Sequence, residues 1–150
     1  MKKYDCILHM TLGLFVLLAV GMGHAQYSSQ TLRVKIPFNF SVERQTFSPG
    51  EYTLKPLLQN AMLLRNQTGQ ALMILTIPLG STEAPSSGIL IFNRYGAQYF
   101  LALIWDAGEP VGRQVTKSPA EIEMAKKDSP GQQIALSFVT PLMEQTSHHP

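Results

Sequence analysis

A chain of 150 residues accommodates one hydrophobic core and not comfortably two. Charged residues make up 15%, against roughly 25% in an average globular chain, while the hydrophobic share of 45% is ordinary, so the surface must be polar mostly without charge and the chain is not of the disordered class. With 12 Lys plus Arg against 10 Asp plus Glu, the formal net charge of +2 is too small to hold a polyanion by counterion release unless the cations are concentrated in one patch, and nucleic acid is not an expected partner.

Lys2 and Lys3 precede an apolar run from Ile7 to Val20, which is followed by Gly21, Met22, Gly23, His24 and Ala25. This charged, hydrophobic and small-residue order is that of a secretory signal, so residues 1–25 are read as a signal peptide cleaved after Ala25. The run is interrupted by His9 and Thr11 and is shorter than the ~20 apolar residues that span a bilayer, and Cys6 lies before it rather than after it. Neither a retained anchor nor a lipoprotein is therefore expected. The mature chain of 125 residues would be secreted or periplasmic, without stable membrane insertion, and would keep 10 basic and 9 acidic side chains. Cys6 is the single cysteine, so the mature chain would have no disulfide, thiol nucleophile or thiolate metal ligand.

Beyond residue 25 the prolines and glycines cut the sequence into short apolar segments, the pattern of strands rather than helices. Leu32, Val34, Ile36, Phe38, Phe40 and Val42 alternate with polar residues or Pro37, which predicts one long strand with a single buried face. Pro37 lacks a ladder donor, so that strand is expected to lie at an edge or to pair on only one side there. Ser48, Pro49 and Gly50 form a turn, and a second strand carries Tyr52 and Leu54 until Pro56 interrupts the ladder. Ala61 to Arg65 and Ala71 to Ile77 flank Asn66, Gln67, Thr68 and Gly69 as a hairpin, and the continuous run Leu72 to Leu75 is expected to be buried on both faces. Gly80 to Gly88 is a polar connecting loop, the main candidate for mobility.

Ile89 to Phe92 and Tyr99 to Trp105 form a second hairpin around Gly96, which can take the positive φ of a tight turn. Ser118, Pro119 and Glu121 read as a capping box with proline at the first helical position, starting a short helix whose Ile122 and Ala125 would face the core and which Asp128 to Gly131 would stop. Ile134, Leu136 and Phe138 mark a last strand, and residues 144–150 read as a disordered tail. The chain is thus predicted to be all-β and mainly antiparallel: one domain over 26–143, a small β-sandwich or barrel of about seven or eight strands with one short helix before the last strand.

The segments Ile36-Pro37-Phe38-Asn39-Phe40 and Phe47-Ser48-Pro49-Gly50-Glu51-Tyr52-Thr53 resemble the opening of a family of small exported bacterial β-rich proteins. Phe92-Asn93-Arg94-Tyr95-Gly96, Tyr99-Phe100-Leu101 and Lys117 to Glu121 resemble the second half of the same family. The likeness covers nearly all of the mature chain and implies an exported β-rich domain. It implies no activity. Members often carry a histidine where this chain has Asn93.

Catalytic constellations are sparse. Only His148 and His149 survive signal removal, both in the expected tail, so a Ser-His-Asp triad has no base within the fold and the pair makes no closed metal site. Asp106 and Glu109 could be paired carboxylates, with Lys117 a further weak candidate, but the surrounding Ala107, Gly108 and Pro110 make a turn in which both acids would be solvated. Asn66-Gln67-Thr68 matches an N-glycosylation acceptor and equally a hairpin turn.

Arg94, Tyr95, Tyr99 and Trp105 on one hairpin, with Arg113 shortly after, are the candidate ligand-binding residues. Strict alternation would put Tyr99, Leu101, Leu103 and Trp105 on one face and Phe100, Ala102 and Ile104 on the other. No catalytic residue, metal or cofactor is expected. The sequence reads best as a non-enzymatic exported binding or interaction module of unknown ligand, or else as a structural envelope protein that associates through exposed strand edges with a partner or with itself. A carboxylate-based hydrolase is the weaker rival.

Overall fold

The computed structural model describes residues 31–127 and 131–138. Residues 1–25, expected to be a signal peptide, Asp128 to Pro130, expected to stop the helix, and residues 144–150, expected to be a tail, lie outside the described residues. Among the described residues ten strands run in the order β1 (Leu32–Ile36), β2 (Phe40–Val42), β3 (Gln45–Phe47), β4 (Gly50–Leu58), β5 (Ala61–Asn66), β6 (Ala71–Gly80), β7 (Gly88–Tyr95), β8 (Gln98–Trp105), β9 (Val111–Val115) and β10 (Gln132–Phe138), with helix α1 (Pro119–Lys127) before the last of them. They form a mixed, mainly antiparallel open sheet in the order β1-β4-β5-β6-β9-β8-β2-β3, with β7 and β10 branching from β8. Its single parallel contact among the described residues joins β2 to β8 at Ser41 and Phe100. Among the described residues β1 and β10 come into contact without forming a ladder.

The first alternating segment behaves as its period of two requires. Leu32, Val34, Ile36, Phe40 and Val42 are buried and Phe38 half-buried, although the strand breaks at residues 37–39 into β1 and β2. Pro37, which cannot donate to a ladder, lies in that break. Among the described residues β1 bonds only to β4, as an edge strand should.

Register aligns Leu32, Leu54, Leu64 and Leu72 in one row across β1, β4, β5 and β6 on the inner face. One position along each strand, Arg33, Thr53, Arg65 and Ala71 form the matching outer row. Every one of the ten strands contributes at least one residue to a common apolar cluster, from Leu32 to Phe138. Within it the rings Phe40, Phe47, Tyr52 and Phe92 lie 5.1–5.9 Å apart, mostly edge to face. Each such fully buried side chain contributes about 1.5–3 kcal/mol of transfer free energy.

Both predicted hairpins form. The β5–β6 turn uses Gly69 at φ 92°, while Asn66 Oδ1 accepts the Gln70 N–H and the Thr68 hydroxyl, each at 2.8 Å. The β7–β8 turn places Gly96 at φ 58°. β4 does not stop at Pro56. It continues to Leu58 through a register shift after the proline.

The strand count exceeds the expected seven or eight because β3 and β9 are short and the first segment divides. Three further expectations are corrected. Leu72 to Leu75 is not buried on both faces: Ile74 is buried, whereas Met73 and Leu75 are each 54% exposed. β6 has only one face on the core, and among the described residues no layer packs against the other. Helix α1 turns Glu121 inward, while Ile122 is 43% exposed and Ala125 is also exposed.

Strict alternation also fails in β8. Register passes from Ile91–Leu103 to Phe92–Leu101, leaving Ala102 as an extra residue. Leu101 and Ile104 therefore share the core, with Tyr99 packed against it.

Candidate functional site

The β8 bulge distributes the hairpin residues. Arg94 and Tyr99 are cross-strand partners, with the guanidinium carbon 5.5 Å from the ring centroid. Arg94 Nε also donates to the Gly96 carbonyl at 2.8 Å, and Tyr99 stacks on Phe38 with centroids 4.1 Å apart. Tyr95, one residue along β7, points to the opposite face, where its ring meets Phe100 at 5.9 Å. Trp105 lies at the far end of β8 over Gly112, so close that a β-carbon there would fall 2.5 Å from the indole. Arg113 Nη1 donates to the Gln59 carbonyl at 2.7 Å, at the β4–β5 end of the sheet. Arg94 and Tyr99 are brought together; Tyr95, Trp105 and Arg113 are placed elsewhere.

The Asp106 region differs from the expected solvated pair. Asp106 is half-buried, and among the described residues its Oδ1 is buried without a hydrogen-bond partner. Burial raises the carboxyl above its ordinary range, Arg113 opposes that rise and Glu109 adds to it. Glu109 itself is exposed. Two backbone bonds tie this turn to the Gly80–Gly88 connection: Gly108 N–H to the Pro85 carbonyl and Ser81 N–H to the Pro110 carbonyl, both 2.8 Å. Lys117 lies apart from it, at the start of α1.

Under α1 the outer face of β7 carries a polar contact that sequence reasoning missed. Ser118 Oγ accepts the Glu121 N–H at 3.1 Å, as an N-cap should. The Glu121 carboxyl does not reach back to complete the box; it accepts from buried Asn93 Nδ2 at 2.8 Å. Gln133 on β10 donates to Asn93 Oδ1 at 3.4 Å. A cleft of about 520 Å³ beside this contact is lined in part by Tyr95, Leu103, Gln114, Lys117 and Gln133.

A second groove, about 530 Å³, lies on the outer face of β1, β4 and β5, bordered by Arg33, Lys35, Glu51, Thr53, Arg65 and Gln67. Gln67 Nε2 donates to Glu51 Oε2 at 2.6 Å, and Thr53 Oγ1 to the Arg65 carbonyl at 3.4 Å. The three cations are exposed and meet one carboxylate. Beyond it, along β6, Met73, Leu75, Ile77 and Leu79 form an apolar row on the same side. Alternation of long polar and apolar residues was the available signal for both, but only register shows that these strands are neighbours.

Among the described residues no group of three His, Cys, Asp or Glu side chains converges as a metal site, and no helix is long and apolar enough to cross a membrane. Comparison with protein-family models, with curated proteins and with solved structures finds no match.

Proposed function

We propose that the chain is an exported, non-enzymatic β-domain that acts as a binding or interaction module in the periplasm or outside the cell. The observation that carries this reading is the outward row of β6: Met73, Leu75 and Ile77 are 54–56% exposed, and Leu79 continues the row. Soluble domains keep such residues in water as a contiguous stripe chiefly where something binds. The export signal read in residues 1–25 supports the compartment, and the resemblance to small exported β-rich proteins agrees with it. A photo-crosslinking residue at Leu75 in intact cells is expected to yield adducts heavier than the monomer. Recovery of monomer alone overturns the reading, as does a hydrolytic activity that Asp106→Ala or Glu109→Ala abolishes.

The structural alternative, association through strand edges, is supported by β3, which bonds only to β2 among the described residues. Crosslinks from Thr46 rather than Leu75 would favour it.

A further inference from the structure

The outer surface changes character across β1, β4, β5 and β6. Arg33, Lys35, Lys55 and Arg65 are all exposed on it and, among the described residues, Glu51 is the one acid facing them, so four cations against one carboxylate give the described part of this face a formal +3 in a chain whose total is +2. The near-neutral total conceals the concentration. Lys35 stands opposite Glu51, which is further engaged by Gln67, whereas Arg33 and Arg65 flank the neutral Thr53 in a single cross-strand row. Two strand spacings separate those two arginines, about 10 Å, with the groove between them.

The next outer row is Lys55, Leu63 and Met73, and here the cationic field passes into the apolar one. Leu75 and Ile77 carry the stripe on along β6. One continuous sheet face thus presents cations beside aliphatic side chains with no intervening element among the described residues.

We infer that this face docks peripherally on an anionic phospholipid surface, its arginines and lysines against headgroup phosphates and the β6 stripe in the interfacial layer above the acyl chains. This rests on the binding-module reading and names the partner for it. A soluble polyanion would use the cations and leave the stripe in water. A surface that offers phosphates over hydrocarbon is complementary to both halves at once. Arginine suits the role, since its planar fork takes phosphate oxygens in pairs. No strand needs to cross the bilayer, because the inner face of the same sheet is occupied by the apolar cluster.

The test is cosedimentation of the full secreted chain at low salt with vesicles of phosphatidylcholine alone and of phosphatidylcholine with about one-third phosphatidylglycerol, an anionic fraction high enough for cationic side chains to register. Binding is expected to the anionic vesicles only and to weaken with added salt. Arg33→Ala with Arg65→Ala should lower it about 25-fold, about fivefold for each cation. Leu75→Gln with Ile77→Gln should also lower it while leaving the salt dependence in place. Both pairs are exposed, and circular dichroism checks that each variant is folded.

Equal sedimentation with both vesicles, or with neither, overturns the proposal. So does a loss confined to the arginine variant when heparin binds the parent equally well, which would assign the face to a soluble polyanion. Absence of vesicle binding together with Leu75 adducts in cells overturns the lipid assignment alone and leaves the interaction module standing.

Discussion

Asn93 and Glu121, 28 positions apart, meet through a 2.8 Å hydrogen bond from Nδ2 to Oε1, and both residues are buried. It fixes the helix to the outer face of β7, where apolar packing is thin because Ile122 and Ala125 face solvent. Asn93→Ala would leave a buried carboxyl oxygen without its donor and should cost about 1–3 kcal/mol. Urea unfolding of Asn93→Ala, Glu121→Ala and the double variant measures the coupling directly. A double variant no less stable than the worse single one is the expected sign that the two act as a pair.

Ile74 and Leu75 are neighbours in sequence and opposite in environment. Ile74→Ala should destabilise the fold by about 2–5 kcal/mol, the range for emptying a core site. Leu75→Gln should change stability by no more than about 0.5 kcal/mol. Midpoints of thermal or urea unfolding distinguish the two, and equal losses would restore a strand buried on both faces.

Gly112 is required by the indole above it, since a β-carbon would lie within 2.5–2.7 Å of three ring atoms of Trp105. Gly112→Ala forces that ring outward and should cost about 1–3 kcal/mol. Trp105 is the single tryptophan, so a red shift of the folded-state fluorescence reports the displacement without ambiguity.

Asp106 is held partly out of water, and its carboxyl is raised mainly by burial. A folded-state value above the unfolded one means that the folded chain binds more protons across that interval. Stability therefore falls as pH rises through it, and the deficit persists at neutral pH. Asp106→Asn should be slightly more stable than the parent at neutral pH, by an amount that solvent screening of the half-buried carboxyl keeps small. The advantage should vanish as pH falls below the carboxyl range. Melting temperatures of the two proteins across the acid range test the sign.

Much of the strand pattern can be read directly from local chemistry. The period of two from Leu32 to Val42 survives a break in the strand because the chain keeps its parity through Pro37, Phe38 and Asn39. Turns at Gly69 and Gly96 follow from residues that tolerate positive φ, and Ser118 caps α1 because its hydroxyl reaches the Glu121 N–H. The candidate site was less legible. Arg94 and Tyr99 could be paired from hairpin register, but an inserted residue reverses the facing of every later position in the strand, and nothing in Tyr99-Phe100-Leu101-Ala102-Leu103 marks Ala102 as the bulge.

The sequence by itself determined the all-β class, the hairpins, the helix start and the inward residues of the first segment, because these depend on side-chain alternation and backbone preference within a few positions. Only the tertiary structure decided which strands are neighbours. Arg33, Thr53 and Arg65 fall in one row, Asn93 finds Glu121, and the apolar row of β6 lies beside a cationic field, all through ladder register and helix docking between residues distant in the chain. Hydrophobic run length could not separate a strand covered on both faces from one covered on a single face, since that depends on whether another layer packs there.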